Sequence, residues 1–291
     1  MSKDRPGPAL AESRRPPHSR RASRRGRVAL LVIVLVVAGA GYLGVRHLIN
    51  SFRSPLCTIT ASGMTETFDP EQTGNAALIT AISIKRGMAP RAATIAITTA
   101  YQESKIRNIT FGDRDSLGLF QQRPSQGWGT QAQVLDPVHS TNAFYDALIK
   151  LKDYPTADIT EVAQKVQRSA YPDAYRDHEQ QGRVLASTLT GHSAAGLTCQ
   201  LDDATTHATP KAVAADLAEE MGVTSVRPGA GTLTVTAADQ TQAWAVGQWA
   251  VARAEQYGAT RVSVGARAWD RGNAAAWSGG AASTTVMITL R

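Results

Sequence analysis

Hydrophobic and polar positions divide the chain into three stretches with different periods. Residues 28–45 form an uncharged run of 18 residues bounded by Arg27 and Arg46. At about 1.5 Å per residue, this run predicts one helix just long enough to cross a hydrocarbon core of about 30 Å. Between residues 57 and 199 the apolar period is helical. Asp69, Pro70 and Gln72 predict a helix start, with Asp as the cap, Pro in the first turn and Gln at the third position. Ala76, Ala77, Ile79 and Ile82 carry its apolar face to a stop at Gly87. A second helix is predicted over 90–107, then a Gly- and Asp-rich loop or set of short strands over 111–129. Helices resume over 136–151, 159–168 and 172–189. A polar linker at 200–209 leads into an alternating pattern, with helices at 211–220 and 239–257 and strands at 232–236, 261–265 and 284–290. The expected fold class is α+β: a transmembrane helix, a mainly α domain over 57–199, and a small α/β domain with an open sheet over 210–291.

Charge changes what this pattern implies. Residues 1–27 hold nine basic side chains against Asp4 and Glu12, which accounts for the whole formal charge of +7 and leaves the rest neutral. The body therefore has no net pull on polyanions, and nucleic acid is not expected as a partner. The tail, rich in Pro and Ser, reads as a disordered basic segment. Its arginines precede the apolar run and only Arg46 and Arg53 follow closely, so the tail is expected in the cytoplasm and the body outside a plasma membrane crossed at 28–45. The rival is a cleaved signal, with 28–37 as its apolar core and Ala38-Gly39-Ala40 as its cleavage site. The run continues past Ala40 and the charged lead is long, which favours the anchor. Either way the body is exported.

The two cysteines, Cys57 and Cys199, border the mainly α block. In an oxidising compartment they are expected to close a disulfide; the other reading is two unrelated buried thiols. The six histidines are scattered and neither cysteine has ligand-spaced neighbours, so no metal site and no cofactor are expected.

On the helix that opens at Pro90, the residues Ala92, Ala93, Ala96, Thr99 and Ala100 share one side, and Glu103 extends it. A carboxylate on a small-residue face is costly to ionise unless it is paired. It is either a structural ion pair, with Arg107 one turn on, or a general acid with a raised pKa.

Glu103-Ser104, followed fifteen residues later by Gly118-Leu119-Phe120-Gln121, resembles the soluble lytic transglycosylase and goose-type lysozyme superfamily, with Phe120 where that family carries Met. Asp136-Pro137, Asn142 and Tyr145 are similar to the downstream pattern, and 115–118, Gln121-Gln122-Arg123-Pro124 and Gly127-Trp128-Gly129 resemble its actinobacterial, membrane-anchored branch. The resemblance covers roughly residues 70–190. It implies a lysozyme-like α fold and cleavage of the β-1,4 bond between N-acetylmuramic acid and N-acetylglucosamine in peptidoglycan glycan strands. Glu103 would protonate the glycosidic oxygen, and Ser104, Gln121 and Tyr145 would help hold the site and the sugar.

A transglycosylase needs no second carboxylate, since the muramoyl 6-hydroxyl attacks. An inverting hydrolase needs a base roughly 6.5–9.5 Å away, for which Asp113 and Asp115 are the candidates, both also fitting as turn residues. The family's late Ala-Tyr-Asn segment, whose Tyr contacts the acid, is replaced here by a sequence in which Tyr171 or Gln167 would have to substitute. Trp128 is suited either to stacking on a sugar face or to anchoring its loop. The alternative function is a non-catalytic envelope protein that uses the same groove to bind glycan or a partner. In the last domain Trp244 and Trp249 read as core, while Trp269 and Trp277 flank a Gly/Ala-rich loop as a ligand edge or a lid. The expected partners are glycan strands and, through 28–45, the lipid bilayer; the sequence names no protein partner.

Overall fold

The computed structural model describes residues 54–167, 172–272 and 276–291, with scattered positions in 28–44. The chain divides into Met1–Ser54 and Pro55–Arg291. In the first unit half of the expected membrane span at 28–45 lies outside the described residues; Val28, Val32, Leu35, Val36 and Tyr42 within it are helical. Among the described residues, no helix is long and apolar enough to cross a membrane.

The second unit is mixed α and β. It opens with a hairpin that the helical reading of this block omitted, β1 (Leu56–Ala61) and β2 (Met64–Phe68). Cys57, Ile59 and Ala61 alternate inward along β1. Ser62 and Gly63 join the strands with φ of 52° and 79°, the left-handed pair that matches the twist of a two-residue hairpin. Strand β3 (Leu197–Gln200) returns to the other side of β1, giving the antiparallel order β2-β1-β3. Cys57 stands opposite Cys199 in this register, and the two are joined as a disulfide.

Helix α1 (Pro70–Lys85) starts with the expected capping box between Asp69 and Gln72 and runs through the middle of the body. Helix α2 (Pro90–Ser104) packs beside α1 and against α6 (Glu179–Leu189). That last approach needs Gly182, where a Cβ would lie 2.2 Å from Thr98 Oγ1. Between them come α3 (Gln131–Leu135), α4 (Pro137–Leu148) and α5 (Ile159–Gln167). The expected single helix over 172–189 is instead a 3-10 segment, Pro172–His178, followed by α6. The tighter winding turns Tyr175 and His178 towards the C-terminal turn of α2.

The remainder comprises α7 (Pro210–Met221), β4 (Val226–Pro228), β5 (Thr232–Thr236), α8 (Gln240–Ala252), α9 (Ala254–Tyr257), β6 (Ala259–Val264), β7 (Arg267–Asp270), β8 (Ser278–Gly279) and β9 (Thr285–Leu290). Its sheet runs β4-β5-β9-β6-β7-β8 with antiparallel pairings throughout, so this part is α+β rather than α/β. The segment at 200–209 is not a free linker, because Leu201 and Ala204 are buried and Arg291 donates to the carbonyl of Ala204.

Residues on both sides of that segment share one core. The outer edge of β3, bare of a strand partner, is met by side chains from the C-terminal part. Gln248 Oε1 accepts from Gly196 N (2.8 Å) and Leu197 N (3.1 Å). The indoles of Trp269 and Trp277 donate to Cys199 O (3.1 Å) and Leu197 O (2.7 Å), which makes both structural and removes them as a ligand edge. Trp244 and Trp249 are core residues, with Trp249 donating to Glu220 at 2.8 Å.

Candidate functional site

Ala92, Ala93, Ala96, Thr99 and Ala100 of α2 are fully buried, and Glu103 continues their face into a half-buried position one turn later. The helix stops at Ser104, followed by two left-handed residues, Lys105 (φ 56°) and Ile106 (φ 58°). A β-branched residue at positive φ is strained, and such backbone persists only when its surroundings hold it. Ile106 N donates to Ala100 O at 3.0 Å, and its side chain is buried. From α1, Gln72 Nε2 and Asn75 Nδ2 bind the carbonyls of Lys105 (2.9 Å) and Ile106 (2.8 Å). The end of the helix that carries Glu103 is thus fixed from the neighbouring helix.

The Glu103 carboxyl accepts a 2.7 Å hydrogen bond from Tyr175 OH at Oε1 and is also bonded by Gln167. Burial pushes its pKa above the usual carboxylate value, and the bonds from Tyr175 and then Gln167 oppose that rise without cancelling it. Arg107, the expected partner in the structural reading, pairs instead with Asp69 and Glu71. Among the described residues no cation pairs with the acid, so burial outweighs the two neutral donors and the carboxyl keeps its proton to higher pH.

The loop over 111–129 is fastened beside this acid. Ser104 Oγ lies 2.7 Å from Leu119 O and 3.0 Å from Ala100 O, and it accepts from Arg107 N. Ser104 is buried, so it positions the loop. Gln167 Nε2 donates to Phe120 O at 2.6 Å, and the Phe120 ring stacks on Phe144 at 4.6 Å. The loop's Gln121 (φ 46°) turns its amide onto Phe111 O (3.2 Å) and Gly118 O (3.3 Å). Gly112 makes room for it, since a Cβ there would lie 1.9 Å from Gln121 Oε1.

The two further carboxylates differ. Asp115 accepts from Arg123 Nε (2.8 Å), Ser125 N (2.7 Å) and Ser125 Oγ (3.0 Å), and Arg123 above all holds its carboxyl well below the usual range. It clasps the loop. Asp113 projects into solvent with 87 % of its side chain exposed and its nearest cation, Arg114, at 3.9 Å.

Tyr145, expected against the sugar, is corrected. It is 0 % exposed and donates to Ile79 O at 3.0 Å, and burial raises its pKa. With Thr141, Phe144 and Leu148 it forms the core stripe of α4. Asn142 braces Arg86 at 3.0 Å. Trp128 stands half-buried on the wall of a groove of about 540 Å³. Tyr171 lies outside the described residues. Tyr175, which meets the acid, lies 72 positions along the chain from it, and no local motif announced it. Among the described residues, no group of three or more His, Cys, Asp or Glu side chains could hold a metal ion. Compared with known proteins, the chain matches no family model and no curated sequence.

Proposed function

We propose that the protein is a lysozyme-like lytic enzyme of the bacterial cell envelope, cleaving the β-1,4 bond of peptidoglycan glycan strands with Glu103 as general acid. One observation carries this reading: a half-buried carboxyl with a raised pKa sits at a helix end, bonded by Tyr175 and Gln167 and, among the described residues, paired with no arginine. Such a group donates its proton to the glycosidic oxygen as the bond from the muramoyl C1 to that oxygen breaks. Of the two routes, the transglycosylase one fits better. Asp115 is saturated by Arg123 and Ser125, and Asp113 faces solvent, so neither is favoured as the base that activates water. The muramoyl 6-hydroxyl then attacks C1, its proton passing to the Glu103 carboxylate, and an anhydro end results. Ser104, Gln121 and Gln167 hold the loop that would border the sugar.

The same reading places the chain at the plasma membrane, anchored through 28–45 with its basic tail inside. The uncharged run, the charge asymmetry and the Cys57–Cys199 disulfide, suited to an oxidising exterior, support it.

Zymography on peptidoglycan with the wild type and Glu103→Gln tests the assignment. Clearing by the wild type alone is expected; equal clearing, or none from either, rejects an enzyme working through this acid. Mass spectrometry of the released fragments should show anhydro rather than reducing ends.

A further inference from the structure

The 3-10 segment Pro172–His178 meets the end of α2 at two side chains one tight turn apart. Tyr175 OH reaches Glu103 at 2.7 Å, and three residues later the His178 ring lies 4.5 Å from the Tyr101 ring, centroid to centroid. His178 Nε2 is 3.2 Å from Lys105 Nζ, and the same ammonium stands 4.8 Å over the Tyr101 ring. An ammonium has no lone pair to offer, so Nε2 is the acceptor and the imidazole in this contact is neutral. Both anchors are fixed from elsewhere. Gln72 of α1 holds the Lys105 carbonyl at 2.9 Å, and Phe68 of β2 packs edge-on to Tyr101 at 6.1 Å.

Burial and the Lys105 ammonium both hold His178 below the usual imidazole range, with Asp177 of its own segment opposing. The carboxylates of the adjoining elements are engaged: Glu179 of α6 by Arg183 at 2.5 Å, and Glu66 of β2 by Gln180 at 2.7 Å. A charged ring at His178 would set two cations 3.2 Å apart, and their repulsion would act on the segment that carries Tyr175.

We propose that His178 is a positioning residue for the acid: its neutral ring, accepting from Lys105 and packed on Tyr101, clips the 3-10 segment to α2 and so keeps Tyr175 OH on Glu103. The carboxyl is thereby tuned at one remove, through Tyr175. The consequence for lysis rests on the reading of Glu103 as general acid; the clip itself does not.

The test is an NMR titration of isotope-labelled glutamate carboxyls in the full chain in detergent micelles, with the Glu103 signal assigned by its loss in Glu103→Gln. His178→Arg places a permanent cation beside Lys105. It should raise the Glu103 pKa by about one pH unit, matching one lost hydrogen bond to a carboxylate. Tyr175→Phe should raise it as far, and His178→Arg in that background should raise it no further. A cation acting directly on the carboxylate would lower the pKa instead, so the direction of change separates release of Tyr175 from simple charge. Adding Lys105→Met to His178→Arg should restore the wild-type titration, and His178→Gln, a neutral acceptor, should keep it. The alkaline limb of lysis should follow the Glu103 pKa in each variant.

A Glu103 pKa unmoved or lowered by His178→Arg, left unrestored by Lys105→Met, or raised as much by His178→Gln would overturn the clip. Titrations that move as expected in a protein that lyses no peptidoglycan would keep the clip and reject the enzyme. Lysis by the wild type with a titration indifferent to His178→Arg would do the reverse.

Discussion

Replacing Gln248 with leucine keeps the bulk of a wholly buried side chain and deletes its amide. That amide accepts from Gly196 N and Leu197 N and donates to Thr188 O at 2.6 Å. Two of the three partners keep a second bond: Gly196 N to Ser193 O at 3.3 Å, and Thr188 O from Gly191 N at 2.9 Å. Leu197 N–H is the group left stranded. A stranded buried donor costs about 1–3 kcal/mol, and the two weakened groups add about 0.5 kcal/mol or more each, so the total is about 3 kcal/mol. For a body of this size that lowers the melting temperature by about 6–12 °C. Calorimetric melting of the oxidised protein measures it, with the exposed Gln256→Leu as a control expected to stay within about 0.5 kcal/mol. A loss below about 1 kcal/mol for Gln248→Leu would refute the reasoning, because it would mean that water already reaches the outer edge of β3.

Burial holds the Glu103 pKa above its usual 4.5, so folding favours the protonated form. Stability is then full at low pH and falls as pH rises through the raised value. Glu103→Gln should therefore melt higher than wild type at pH 7 and equally at pH 3; a shift of the same size at both pH values would contradict the buried acid. Tyr175→Phe removes a bond that stabilises the carboxylate, so the Glu103 pKa should rise further and the alkaline limb of the proposed lytic activity's pH profile should move to higher pH. An unmoved limb would separate Tyr175 from the titration. Changing both Cys57 and Cys199 to Ser opens a link across 142 positions, and the chain-entropy treatment gives a loss of about 5 kcal/mol, readable as a lowered guanidinium midpoint.

What the sequence discloses follows the range of the interactions involved. The capping box of Asp69 and Gln72 and the alanine face leading to Glu103 are local, and both stand where the spacing put them. The strands around the disulfide were missed because β1 pairs with β3 across the whole helical block. The alternation of residues 56–61 and 64–68 around Ser62-Gly63 carried a hairpin signal nonetheless. Tyr145 was misplaced because a motif position was weighed above the stripe of Thr141, Phe144 and Leu148, whose spacing marks core. Tyr175 had no local signal. Its contact with Glu103 depends on the 3-10 winding of Pro172–His178, a consequence of tertiary packing.

The seal that Gln248, Trp269 and Trp277 place along β3 bears on how such a chain is inherited. An enzyme half and a docking half joined by a tether can be shuffled among genes, each surviving the exchange. Here the first half ends in a strand whose outward amides and carbonyls are finished by residues encoded some 50 to 80 positions later. A gene fragment stopping near residue 205 would specify an exposed, sticky ribbon, prone to pair with its own copies. A recombination break at that junction would therefore leave the first half with an unfinished edge, and the two halves are expected to fold only as one block.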